Sequence, residues 1–163
     1  MFEVLVFVYE NYWRGDACPE PQQLGRKLSA VGFEAEEIQA ALHWLSGLKI
    51  AASGIAPTAT NPLHPDVIAT SLSSDALRVY SVAEQEHLGA ECLGFVHFLA
   101  SAGVLPPLMR EIVLDRAMAA PGAPVSLGDL KIIVLMVYWS FGTEPDALVL
   151  DELCQDVSGR VAH

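Results

Sequence analysis

The sequence predicts a mainly α-helical protein. The expected fold is an orthogonal helical bundle with an N-terminal helix-turn-helix, winged-helix-like half and a C-terminal four-helix half around a central apolar helix. Three observations predict it. Apolar residues recur at helical rather than alternating spacing along most of the 163-residue chain. Cap and stop signals bracket those stretches. The segment "LKIIVLMVYWSFG", Leu130 to Gly142, is apolar on every face of a helical wheel, the pattern of a helix surrounded by protein.

The first element is a largely buried helix over Phe2 to Trp13, ended near Gly15, with Glu10 and Arg14 as an i,i+4 pair. Gln22 to Val31 follows as a helix with Gly32 as its stop. The next helix carries Phe33 and Ile38 at the spacing of a hydrophobic staple, with Glu36 and Glu37 in its first turn, where the helix dipole favours acids. Its apolar stripe is Ile38, Ala41, Leu42 and Leu45. A helix pair joined by a tight glycine turn is the helix-turn-helix pattern, and "LKIAASG" and "ALRVYS" (Ala76 to Ser81) are candidate wing strands. Between them, Ala52 to Asp75 is rich in Pro, Ala, Ser and Thr and reads as an excursion.

Ser81 and Glu84 form a capping-box pattern that opens a long helix to about Ala102, with the stripe Leu88, Cys92, Phe95, Leu99. Pro106 and Pro107 start another helix, running to Ala120. After "PGAP", Ser126 and Asp129 cap the central apolar helix, and a final helix spans Pro145 to Val157. The expected organisation is an N-terminal three-helix half (1–51), the excursion (52–75) and a C-terminal helical half (76–163) sharing one core.

The bulk numbers exclude several functions. The chain is 52% hydrophobic and 18% charged, ample for a core. Its 20 acidic and 9 basic residues give a net charge of −11, with no Lys/Arg cluster to neutralise phosphates or an anionic bilayer. Only 12 uncharged residues run from Ile132 to Thr143, whereas a membrane span needs about 20. The N-terminus lacks the basic start and cleavage site of a secretory signal. Three isolated cysteines, Cys18, Cys92 and Cys154, fit neither a disulfide framework nor a zinc site, so a cytoplasmic location is expected.

No catalytic, cofactor or metal motif emerges. Glu84, His87 and Glu91 share a flank, and Glu-x-x-His is half of a di-iron motif, but no second half exists and a solvated flank is the simpler reading. There is no G-x-S-x-G, no cysteine beside a base and no phosphate loop. Arg116 lies amid Met109, Ile112, Val113, Ala117 and Ala120 on its wheel, so its guanidinium is expected to clamp a carboxylate from another helix, such as Asp129 or Glu152. The second helix of the helix-turn-helix presents Glu34, Glu36, Glu37, Gln39 and His43, a face that repels phosphates.

"FEVLVFVYENY", "GFEAEEIQAALHWLSGL", "LRVYSVAEQEHL", "CLGFVHFLASAGVLPPLMREIVLDRAM" and "LGDLKIIVLMVYWSFG", in that order, resemble the bacterial Smg family over nearly the whole chain. Arg110, Glu111, Asp115 and Arg116 match the family's R-E-x-V-x-D-R block. Leu130 and Lys131 match its L-K-W block, with Ile132 in place of the tryptophan. The resemblance implies a small cytoplasmic bacterial protein without a cofactor, in a family of no settled activity whose genes often neighbour DNA-processing functions. The expected function is a non-enzymatic regulatory or protein-interaction module with an unidentified protein partner. Arg110, Glu111, Asp115, Arg116, Asp129 and Lys131 are its candidate structural or interaction residues. The alternatives are nucleic-acid binding through the winged-helix half and an enzyme with a cleft around Arg110, Glu111 and Arg116.

Overall fold

A computed structural model describes residues 1–12, 18–53 and 78–154. Among these residues the protein is mainly helical and has no strand. In chain order the helices are α1 (Phe2–Asn11), α2 (Pro21–Val31), α3 (Ala35–Ser53), α4 (Val82–Ser101), α5 (Pro107–Met118), α6 (Leu127–Ser140) and α7 (Ala147–Cys154).

α6 is the centre. Every side chain from Leu130 to Trp139 is buried, and the helix packs against α1, α3, α4, α5 and α7. Its sequence explains this: with no polar stripe, it gains only where protein covers all sides. It starts where expected, at Ser126, whose hydroxyl accepts from the Asp129 backbone N–H. Among the described residues no helix is long and apolar enough to cross a membrane. α1 joins this core through Val4, Leu5, Val6 and Val8. The Glu10–Arg14 pair and the expected end of α1 at Trp13 to Gly15 involve positions outside the described residues.

α2 and α3 are joined by Gly32, which adopts the left-handed conformation (φ 109°) that a side chain would resist, and returns its N–H to Leu28. α3 differs from expectation in two ways. Its fully buried residues are Ile38, Ala41, Trp44 and Leu48, with Leu42 and Leu45 only half-buried. It also runs unbroken to Ser53, so "LKIAASG" is helix up to that residue and not a wing strand. Lys49 therefore lies within this helix. Good helix formers and a continuing apolar stripe through Trp44 and Leu48 outweigh the β-propensity of Ile50. The other candidate wing fails similarly: Arg78 to Ser81 has no ladder partner among the described residues and forms a loop, while positions 76 and 77 and most of the 52–75 excursion lie outside them.

α4 begins with the complete capping box: Ser81 accepts from the Glu84 N–H, and Glu84 accepts from the Ser81 N–H. It is not one straight helix. Gly89 interrupts it with φ 72° and ψ 167°, a conformation open almost exclusively to glycine. Near the break the His87 carbonyl accepts from the Val125 N–H (2.8 Å), tying α4 to the loop before α6. Leu88, Cys92 and Leu99 are buried as expected, while Val96 takes the deep position in place of Phe95.

The last carbonyls of a helix lack intrahelical donors. In α5 they are met from two sides. The Trp44 indole N–H of α3 donates to the Arg116 carbonyl (3.0 Å), and His87 Nε2 of α4 lies 3.1 Å from the Ala117 carbonyl. α5 is thereby fixed between its neighbours. α7 starts two residues after the expected Pro145 and buries Leu153; positions 155–157 lie outside the described residues.

Candidate functional site

The charged block of α5 is held in two separate places. Arg110 and Glu111 sit in its early turns, where they meet Arg78 from the loop before α4. Arg78 Nε lies 2.9 and 3.0 Å from the two Glu111 oxygens, and its Nη2 lies 2.7 Å from Glu84. Arg110 Nε adds a 3.2 Å bond to Glu111. The Arg78 guanidinium also stacks on the Tyr80 ring, 4.9 Å from its centroid. Two arginines and two glutamates thus balance one another at the α4–α5 junction.

This network has a clear electrostatic signature. Hydrogen bonds from Arg78, and then from the Ser81 backbone, hold the Glu84 carboxyl down from 4.5 to about 2. The Glu84 bonds push Arg78 still higher than an ordinary arginine. Burial raises the Tyr80 hydroxyl against the pull of Arg78. Because the folded-state pKa of Glu84 lies below its ordinary value of 4.5, its contribution to stability is complete above that pH and is lost as pH falls toward 2. Arg78→Met removes the leading cause of the shift. Urea unfolding midpoints measured at pH 7 and pH 3 are expected to fall further apart in the wild type than in Arg78→Met. Equal acid sensitivity in the two proteins would contradict the assignment.

Asp115 and Arg116 lie at the other end of α5. Arg116 Nε and Nη2 bind Asp115 Oδ2 at 2.9 and 2.6 Å. The guanidinium itself rests on α3, over the bare backbone of Gly47: a Cβ placed there would come 1.9 Å from Nη1. The expected cross-helix clamp on Asp129 or Glu152 is therefore corrected. The carboxylate comes from the neighbouring residue of the same helix, and what Arg116 reaches across to is a glycine-sized recess. α5 turns Arg116 toward α3, where Gly47 and the Trp44 bond leave it room.

Asp129 and Lys131 are used elsewhere. Asp129 accepts from the Ser126 hydroxyl (2.7 Å) at the α6 cap. Lys131 is buried to within 4% exposure, reaches Glu152 of α7 at 3.1 Å and lies over the Phe95 ring. A lysine so placed is tolerated because it is paired and its stem is apolar. The six candidate residues therefore do not form one site. Arg110 and Glu111 form one group, Asp115 and Arg116 a second, and Asp129 and Lys131 belong to the α6 start.

The Glu84–His87–Glu91 flank is also corrected. Glu84 is bound to Arg78 and His87 to the Ala117 carbonyl, so neither is simply solvated, and the Gly89 break separates them from the exposed Glu91. Among the described residues no three His, Cys, Asp or Glu side chains could hold a metal ion together. Burial, with Glu91 and Asp129 nearby, pushes the Cys92 thiol up to about 11, and it donates to the Val125 carbonyl.

Sequence reasoning missed Arg78, Trp44 and Gly47. Arg78 was legible only as a cation just before a capping box; its second partner is 33 residues away. Trp44 and Gly47 carry no local signal, because their roles exist only once α3 meets α5.

A family profile described as "Protein of unknown function (DUF494)" matches residues 1–163. The chain is 58% identical to a Protein Smg homolog of Leptothrix cholodnii over 163 residues, covering all of both chains. It is equally similar, at 58%, to a Protein Smg homolog of Methylibium petroleiphilum, again over the whole of both. A Protein Smg homolog of Herminiimonas arsenicoxydans is 46% identical over 166 aligned positions, with complete coverage of each. No solved structure matches. With a match of this extent, carrying the R-E-x-V-x-D-R block in α5 and the apolar α6, the chain belongs to the DUF494 family, that of the Smg homologs.

Proposed function

We propose that the protein is a cytoplasmic, non-enzymatic regulatory module that acts by binding another protein. The observation that carries this reading is the internal use of the α5 block. Arg110 pairs with its neighbour Glu111 and Arg116 with its neighbour Asp115 inside α5, Glu111 is also bound by Arg78 from the loop before α4, and Arg116 rests on the Gly47 recess of α3. An active site needs such groups aimed at a substrate; here they serve as structural residues, as do Asp129 and Lys131. The resemblance to the Smg family adds a DNA-metabolism setting.

The charge distribution favours a protein over a nucleic acid as the partner. Arg78, Arg110, Arg116 and Lys131 are each held by carboxylates. Glu36, Gln39 and His43 stand exposed along α3, the helix a winged-helix reader would use, and Glu34 is exposed just before it. Such a face opposes a phosphate backbone. The test is affinity purification of the tagged protein from its own cells after brief crosslinking, with and without nuclease. A protein retained in both conditions is the expected result. Recovery of no specific protein overturns the reading, and retention abolished by nuclease favours the nucleic-acid alternative instead.

A further inference from the structure

Among the described residues Arg26, Lys27 and Lys49 form no ion pair, and all three belong to α2 and α3. Lys49 lines a groove of about 510 Å³ that is open to solvent between α2, α3 and the end of α6. Lys27 stands near it, with its ammonium 5.5 Å from the Tyr12 ring centroid. Burial raises the thiol of Cys18, a residue lining the groove, and the charges of both lysines act on it in the opposite direction.

The groove has a regular floor. Leu42, Leu45, Lys49 and Ala52 line it at helical spacing along α3, a stripe about 15 Å long at roughly 1.5 Å per residue. Leu42 and Leu45 are only half-buried, so their outer surfaces face this opening. Leu24 of α2 lines one side, and Trp139 and Phe141 at the end of α6 line the other. Glu20, at the start of α2, is the acid on the rim.

We propose that this groove docks an acidic, amphipathic helical segment of a partner protein, its apolar anchors on Leu42 and Leu45 and its carboxylates on Lys27 and Lys49. The length of the floor suits about three helical turns, with anchors at i, i+3 or i+4, and i+7. Charge complementarity selects the acid. In a chain of net charge −11, exposed Lys49 lines this apolar opening and exposed Lys27 acts on Cys18 at its edge, whereas the cations of the α5 block and Lys131 are already matched. A basic segment would meet lysines here, and an uncharged one would leave both without a carboxylate.

This inference rests on the protein-interaction reading and names its surface. Random twelve-residue peptides displayed on phage are selected against the wild-type protein, and the enriched peptides are synthesised and titrated by fluorescence anisotropy. The expected result is enrichment of peptides with helically spaced apolar residues and several Asp or Glu, whose affinity falls at least tenfold in Lys27→Glu/Lys49→Glu. Both lysines are exposed, and circular dichroism of the double variant checks that it is folded; Leu45→Glu is the second variant. Peptides without acidic bias, peptides indifferent to both variants, or no enrichment would overturn the groove assignment. So would a concentration-dependent dimer broken by Leu45→Glu, which makes a second copy the occupant. A photo-crosslinking residue at Ser46 or at Asp115 separates the two levels of failure. A partner captured at 115 and not at 46 removes the groove and leaves the interaction reading standing; capture at neither removes both.

Discussion

Val134→Asp is expected to abolish folding. Val134 is wholly buried in the middle of α6, the helix against which five others pack. Among the described residues the buried cation is Lys131, one turn earlier on the same helix, and it is bound to Glu152. An uncompensated buried charge costs several kcal/mol even after relaxation, and protonating it still leaves a polar group in an apolar core. Against a typical total stability of about 5–15 kcal/mol, that loss leaves little or no folded population. Circular dichroism is expected to show no cooperative thermal transition, with the protein recovered in aggregates. A variant with the wild-type melting temperature would contradict the central placement of α6. A well-folded variant released from a membrane fraction would instead point to an anchoring role for the stretch.

The second large effect is expected at Trp44. Its side chain is buried between α3 and α5, and its indole N–H satisfies the Arg116 carbonyl at the end of α5. Trp44→Ala removes a large core side chain and leaves a cavity, a change that costs about 3–5 kcal/mol. It also orphans a carbonyl that has no donor within its own helix. Trp44→Phe keeps much of the apolar contact and loses the hydrogen bond, so about 1–3 kcal/mol is expected, the range for leaving a buried polar group unpaired. Urea unfolding at neutral pH measures both. A Trp44→Ala destabilisation below that of Trp44→Phe would mean that the α3–α5 contact is not organised around the indole.

These two sites differ in how visible they were in the sequence. Val134 was legible because a run with no polar face has one favourable location, independent of what surrounds it. The caps at Ser81 and Ser126 and the stop at Gly32 were legible for a related reason. Each is a contact among residues within about one helical turn, so the sequence contains both partners. The wing strands were misread because β-branched and apolar residues near Ile50 and Val79 suit a strand in isolation. α3 instead continues through the first, held by Trp44 and Leu48 in the core, and the second becomes the loop that delivers Arg78.

The charged block of α5 shows where local reading ends. Its composition marked it as a unit, and the wheel placed Arg116 correctly toward other helices. Which group each charge meets depended on distant chain segments: Arg78 for Glu111, Gly47 for Arg116, Glu152 for Lys131. The six candidate residues are divided among three places in space, and the cleft expected around Arg110, Glu111 and Arg116 is split between the two ends of α5.

By itself the sequence determined the helical class, the central position of α6 and the caps that start α4 and α6, because periodicity and capping are short-range physics. Only the tertiary structure decided the ion-pair partners, the break of α4 at Gly89, the support of the α5 carbonyls by Trp44 and His87, and the groove beside Lys49. Each of these depends on two helices being brought within a few ångströms, and that distance is set by the packing of the whole core.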